Sequence, residues 1–298
     1  AISYCASAAS AWTLLGMSGL AFTMGLAALW LALGAVLGCG LSWWLIAPRI
    51  MAISEQQQLL SATELVAMGT HGPRRRAIVG VASIFILFCF VIYIASQFQG
   101  AGGTFSATFG MDSAGSIALG GAIILIYTLL GGFWAVSVTD TIQGLLMILA
   151  AVMLPVAALA EFGGPIGFFD ALAAAAGPDY MSLTGDNLGL AAGGFIAGSL
   201  AVGISSFGQP HLVARFMALR DRRALRQGQV IATAWYAVVF FGMCLVGFAG
   251  KILLTELDNS EQVFFAINAH LFPSVFGAVL LAAVLSAIMS TADSMLLV

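Results

Sequence analysis

The sequence predicts an all-α, polytopic membrane protein, and three observations carry that prediction. Of 298 residues, 61% are apolar and only 8% are charged, against roughly 25% charged in an ordinary soluble domain. A soluble globule of this size could not cover its surface with so few charges, so much of the apolar remainder has to face lipid. Charge-free stretches recur at the length a helix needs to cross a bilayer, about 20 residues. Glycine (35) and methionine (12) are abundant, and small residues let transmembrane helices approach closely. Continuous runs such as SIFILFCFVIYIA exclude barrel strands, which alternate over about ten residues. A net charge of -3 gives no sign of nucleic-acid binding.

Eight spans are expected, near residues 2–18, 20–46, 77–102, 115–136, 139–161, 190–212, 227–250 and 275–298. Basic residues are retained on the cytoplasmic side, and theirs is a lopsided placement. Arg49 and Arg74–Arg76 lie between the second and third spans; Arg215, Arg220, Arg222, Arg223 and Arg226 lie between the sixth and seventh; only Lys251 is elsewhere. Four spans separate the two basic loops, so both can face the cytoplasm. The outer segments then carry Asp112, Glu161, Asp170, Asp179, Asp186, Glu256, Asp258 and Glu261. Short surface helices are expected within 162–189, bounded by Gly163, Gly164, Pro165, Gly177 and Pro178, and at 260–271. The HGPRRR stretch also suits anionic lipid headgroups.

The chain opens at Ala1 and closes at Val298 inside apolar runs, which reads as an internal fragment, so no signal peptide can be scored. Cys5, Cys39, Cys89 and Cys244 share no metal or redox spacing and read as small buried hydrophobes. His71, His211 and His270 are scattered, with no nucleophile beside a base; His211 reads as a helix-end residue facing water. GAGG at 100–103 lacks the strand-turn-helix context of a nucleotide loop. No enzyme is expected.

Three spans depart from the usual Leu/Ile/Val/Phe filling. The first, AISYCASAASAWTLLGMSG, places Ser3, Ser7 and Ser10 on one helical face. That face is either a small-residue packing surface or a point where the helix unwinds and offers carbonyls to a cation. The sixth, GGFIAGSLAVGISSFGQPH, collects Gly203, Ser205, Ser206, Gly208 and Pro210, which weaken a helix and free its carbonyls. Interrupted spans at corresponding places in two halves point to a binding site near the midplane, although a plain proline kink is the competing reading. The last, SAIMSTADSMLLV, aligns Ser286, Ser290, Asp293 and Ser294 beside Thr291. Those oxygens suit a hard cation. Hydroxyls bonded back to their own helix are the alternative, and Asp293 is either an intramembrane acid or a solvated one at the span's end.

Three stretches in order, YTLLGGFWAVSVTDTIQGL from Tyr127, FGQPHLVARFMA from Phe207 and LSAIMSTADSMLLV from Leu285, resemble the sodium/solute symporter family, and within it the bacterial sodium/proline branch. The resemblance implies a LeuT-like inverted-repeat bundle forming one transporter domain over 1–298, with 1–161 as the first repeat and 190–298 as part of the second. It implies a sodium site from the carbonyls of Ala6, Ala9 and Ala287 with the hydroxyls of Ser290 and Thr291. A second sodium grouping would involve Asp140, Ser290, Asp293 and Ser294, although Asp140 also reads as an N-cap or first-turn acid of its span. The solute pocket is expected from Ser10, Trp12, Tyr93, Gln97, Val202, Ser206 and Pro210. Tyr93 and Gln97 lie four apart on one face, and Gln97 needs a polar partner in lipid surroundings.

Departures fall where specificity should lie. Ala8 stands where the proline branch has an aspartate, and Val202 and Ser206 stand where it has tryptophan and tyrosine. The expected function is sodium-coupled import of a small polar solute, proline or another amino acid or organic acid, by a multi-pass protein of the plasma membrane. Sodium is the coupling ion and no other cofactor is expected. Rival readings are a transporter-like sensor fused to a signalling kinase, and a proton-coupled or uncoupled carrier, the latter motivated by Ala8.

Overall fold

The computed structural model describes residues 1–298 apart from residues 111, 255 and 256 and the side chains of residues 107–109, 113 and 127. The expected outer acid Glu256 and the side chain of Tyr127 therefore lie outside the described residues. All regular structure among the described residues is helical. In chain order the helices are α1 (Ile2–Ala8), α2 (Met17–Met24), α3 (Leu29–Leu41), α4 (Ala47–Gln57), α5 (Ala62–Val66), α6 (Gly72–Phe109), α7 (Ser113–Glu161), α8 (Pro165–Ala175), α9 (Gly189–Ala201), α10 (Pro210–Met217), α11 (Arg222–Leu253), α12 (Val263–Leu271) and α13 (Ser274–Leu296). Single π turns at Trp12–Gly16 and Ser42–Ile46 lead into α2 and α4.

Among the described residues, six helical runs are long and apolar enough to cross a bilayer by length and composition. The run Trp12–Gln57 is divided at Gly25, and the shorter apolar helix Ala114–Ile126 precedes a break at Gly132. Those two divisions fall close to where expected spans part, but both boundaries move. The first turn falls at Gly25 rather than Gly19, because Gly25 adopts φ 61° and ψ −140°, a region open to glycine. Tyr180 locks that turn: its carbonyl accepts from the Leu26 amide at 3.0 Å and its hydroxyl donates to the Ala21 carbonyl at 2.7 Å. Gly19 stays helical, close to the backbone of Ser260. The fourth and fifth spans part at Gly132 (φ 62°, ψ −173°), a few residues before the expected boundary.

Helix directions follow from partners read along α11. From its N-terminal half outward, α11 meets Ala232 against Cys5 and Gly247 against Ser18, so α1 and α2 run parallel to it. Trp235 donates to the Gly144 carbonyl and Gly242 lies against Ala151, so the later part of α7 also runs parallel. Gln229 bonds Trp43 whereas Thr233, further along, lies by Gly40, so α3 runs the opposite way. Since α11 begins at exposed Arg222 and Arg223, the first crossing travels outward and the second inward, as the basic-residue rule requires. Asp221 caps α11 by accepting from the Ala224 amide at 2.7 Å, which holds its carboxyl below the usual carboxylate range.

Outer surface helices form where expected. Helix α8 starts with Pro165 after Gly164 (φ 108°) and buries Phe168 and Leu172, while a 3-10 turn at Ser260–Gln262 leads into α12. The described outer acids are exposed. Three expectations are corrected. Cys89 is exposed on α6, on a flank of Phe85, Phe88 and Ile92 that faces outward as lipid-facing residues do. His211 is buried, 1% exposed, because Pro210 begins α10 and turns its next residue inward. Arg215, counted with the cytoplasmic loop, is also buried; the other loop arginines are exposed.

Candidate functional site

Helix α1 stops at Ala8, where Ala9 leaves the helical region at φ −92° and ψ 94°. The Ala9 amide returns to the Cys5 carbonyl at 2.9 Å, and the Ala11 amide turns sideways to Gln97 Oε1 on α6 at 3.1 Å. The first crossing is thus broken, and Ser10 does not continue the face of Ser3 and Ser7. The Ala6 carbonyl takes the Ser290 hydroxyl from α13 at 2.9 Å. That hydroxyl also lies 2.8 Å from the Ser286 carbonyl and 3.3 Å from that of Ala287. Beside it, Thr291 is 1% exposed and its hydroxyl has no hydrogen-bond partner among the described residues. A buried hydroxyl without a partner is costly, and a cation between α1 and α13 would supply what Thr291 lacks. The Ala6 and Ala287 carbonyls therefore meet at the Ser290 hydroxyl, with Thr291 next along α13 and buried Ala9 at the break.

The sixth crossing is broken as well. Helix α9 ends at Ala201, a 3-10 stretch covers Val202–Phe207, and α10 restarts at Pro210. Close packing holds the first part in place: a Cβ on Gly203 would lie 2.0 Å from the Gly34 carbonyl oxygen. Between the two breaks lies a cavity of about 300 Å³ lined by Ala8, Ser10, Trp12, Thr13, Tyr93, Val202, Ser206, Gln209, Tyr236 and Phe240, among others. Ser206 stands 3.0 Å from Ser42, hydroxyl to hydroxyl. Among the described residues no charged side chain lines this cavity, which presents hydroxyl, amide and aromatic groups.

Two expected pocket residues are placed elsewhere. Pro210 lines a separate groove with Ile50, Ala62 and Val213, because opening α10 puts it on the far side of the break. Gln97 lines a second, outer cavity of about 560 Å³ with Trp12, Gln99, Thr104, Asn259 and Glu261. Trp12 borders both cavities. Of the lining residues that the sequence did not single out, Tyr236 and Phe240 stack at 5.3 Å. Their spacing of four was visible, yet an aromatic pair in an apolar span reads as core. Gln209 adjoined the noted glycine and proline, and only the fold shows that it lines the cavity.

Further along from Ser290 and Thr291, Asp140 is buried within α7, eight residues past Gly132, and is neither a cap nor a first-turn acid. Its Oδ2 accepts from Ser3 at 3.0 Å, Ser7 at 3.1 Å and Ser294 at 3.4 Å, and forms an ion pair with Arg215 Nη2. Arg215 also donates to Ser294 at 2.7 Å and to Ser3 at 3.2 Å. Asp293 is buried in the last turns of α13, its Oδ1 3.2 Å from the Ser294 hydroxyl oxygen; it is not a solvated acid. Tyr4, Trp43 and Phe216 pack over the same region with ring centroids 5.0 to 5.2 Å apart.

A helical membrane bundle with two opposed broken crossings, a cation-type cluster at one and an uncharged cavity between them has the build of a secondary transporter. Comparison with known proteins agrees. The chain belongs to the Sodium:solute symporter family, whose model matches residues 1–298, and this is a family of membrane transporters rather than enzymes. It is 32% identical to a sodium/proline symporter of Staphylococcus aureus over 304 residues, and the same match recurs in strain JH9. All of this chain is covered but only 58% of those relatives' length. A solved Na+-coupled sialic acid symporter in a substrate-bound, outward-open state superposes with TM-score 0.82 at 20% identity, covering 99% of this chain and 63% of that one; this likeness shows the fold.

Proposed function

We propose that this chain forms the central part of a sodium-coupled symporter that imports a small polar solute, an amino acid or related organic acid with proline as the first candidate, by alternating access. The observation that carries the reading is the Ser290 bridge to the Ala6 carbonyl beside the Thr291 hydroxyl, which has no partner among the described residues. Sodium held there by Ala6, Ala9, Ala287, Ser290 and Thr291 ties α1 to α13 and favours the outward-facing arrangement. Solute then binds in the cavity at Ser10, Trp12, Tyr93, Val202 and Ser206, and the two repeats, 1–161 and 190 onward, rock to open inward. The second grouping is a cradle centred on Asp140 and Ser294, with Asp293 beside it.

Val202 and Ser206 leave more room than large aromatics would, so the solute need not be proline. In proteoliposomes of the full-length protein, an inward sodium gradient should drive proline or another labelled amino acid. Ser290→Ala with Thr291→Ala should raise the half-saturating sodium concentration at least tenfold, about 1.4 kcal/mol. Uptake indifferent to sodium in both proteins sinks the reading. A proton-coupled carrier is the second reading, favoured by Ala8 lining the cavity without a carboxylate; transport driven by a pH gradient in sodium-free buffer would establish it.

A further inference from the structure

A groove of about 380 Å³ runs between α4 and the start of α11, lined by Met51, Glu55, Arg222, Leu225, Arg226 and Gln229 among others, and it shares no residue with either cavity of the solute path. Its floor is fixed by close packing. Gly228 brings α11 against the Trp43 ring, where a Cβ would lie 2.2 Å from the indole, and Gln229, 7% exposed, donates to the Trp43 carbonyl at 3.2 Å. The charges in the groove are not spent on one another. Glu55, Arg222 and Arg226 are exposed, and none of them forms an ion pair among the described residues. Asp221, next to Arg222, is engaged by Arg220 at 2.9 Å and by the Ala224 amide, and Arg49 turns back to the Leu45 carbonyl at 2.8 Å. Two guanidinium groups against one carboxylate leave the groove with a net positive charge.

The surface around the groove sets its depth in the membrane. One turn beyond Arg226 on α11, Val230 is 62% exposed, and one turn before Pro48, which also lines the groove, Trp44 is 56% exposed. Large apolar side chains exposed on a membrane bundle face lipid, and tryptophan concentrates at the level of the headgroups. Exposed arginines begin where that apolar surface ends, so the groove straddles the boundary between acyl chains and water. We propose that it binds one anionic phospholipid of the cytoplasmic leaflet, the phosphate held by Arg222 and Arg226, the glycerol region against Met51 and Leu225, and a headgroup hydroxyl donating to Glu55. Guanidinium forks match phosphate oxygens in pairs, and a single phosphodiester charge cancels the excess that the groove carries. A zwitterionic headgroup would leave that excess in place. Phosphatidylglycerol has both the charge and the hydroxyls. The site is independent of the sodium-coupled reading.

The test is native mass spectrometry of the purified, delipidated full-length protein in detergent, titrated with dioleoyl phosphatidylglycerol. The unmodified protein should hold one lipid more tightly than the rest, and Arg222→Gln with Arg226→Gln should weaken its retention about tenfold or more. Ala52→Trp, which fills the groove without changing its charge, should weaken it as well. Arg74→Gln with Arg75→Gln and Arg76→Gln removes three positive charges from the same face of the membrane and should leave that lipid in place. Neither dioleoyl phosphatidylcholine nor an excess of inorganic phosphate should displace it. Unchanged retention in either groove variant, or an equal loss in the triple variant, overturns the proposal, because charge in general and not the groove then holds the lipid. Displacement by inorganic phosphate would make this a site for a free anion, and equal retention of phosphatidylethanolamine would make Glu55 a partner for an ammonium group; either result overturns the anionic lipid.

Discussion

Gln97 shows how one side chain makes a broken helix tolerable. A break leaves backbone amides without their usual carbonyls, and in a membrane interior no water replaces them. Gln97 Oε1 accepts from the Ala11 amide at 3.1 Å, so α6 supplies what the first crossing lacks. Gln97→Leu should leave that amide buried and unbonded, costing about 1–3 kcal/mol. The expected result is a lower melting temperature in detergent and weaker sodium binding; a variant as stable as the parent would show that the amide finds another acceptor. The need of Gln97 for a partner was legible from its apolar surroundings, but the partner was not. Arg215 was misread for the same physical reason. Its neighbours in LVARFM are apolar, which hinted at burial, yet Asp140 lies 75 residues away, and only the fold brings the two together.

At the scale of elements, spacing between helices is set by glycines that approach backbone rather than flexible side chains. A Cβ on Gly203 would lie 2.0 Å from the Gly34 carbonyl oxygen and 2.8 Å from the Gly38 Cα. Neither atom can swing away, so Gly203→Ala must push the broken sixth crossing off α3 and distort the cavity beside it. On α9, Gly194 has nothing within 4 Å of a Cβ, and replacing it with alanine removes a residue that weakens a helix interior. Gly203→Ala should therefore lower the yield of folded protein sharply while Gly194→Ala leaves it unchanged or slightly raised, as judged by monodisperse gel filtration. Equal yields would show that the crossing adjusts without cost. The element count and the two surface helices were legible from charge-free runs and from Gly/Pro boundaries. The turn at Gly25 was not, because Gly19 and Gly25 look alike in sequence, and what separates them is Tyr180, which packs on Gly25 and bonds the adjoining Leu26 amide, and Ser260, which crowds Gly19.

Over the whole molecule, the two ends of the site differ in how firmly they are closed. On the cytoplasmic side the Asp140 and Arg215 pair ties α1, α7, α10 and α13 together, under the packed rings of Tyr4, Trp43 and Phe216. On the outer side, the larger cavity reaches Asn259 and Glu261 and meets the inner one at Trp12, whose indole fits over Gly16. Water should thus enter from outside and stop at Arg215. Val202, 40% exposed and lining the inner cavity, reports on this directly. In a full-length background with Cys89 and every accessible cysteine outside residues 1–298 replaced by alanine, which leaves the buried Cys5, Cys39 and Cys244, Val202→Cys should react with a membrane-impermeant thiol reagent applied from outside. Sodium, by holding α1 against α13, should speed that reaction, and sodium with a transported solute should slow it by filling the cavity and favouring closure. Reaction only from the cytoplasmic side would mean that the inner knot is the open end and Trp12 the closed one, reversing the order in which sodium and solute must leave.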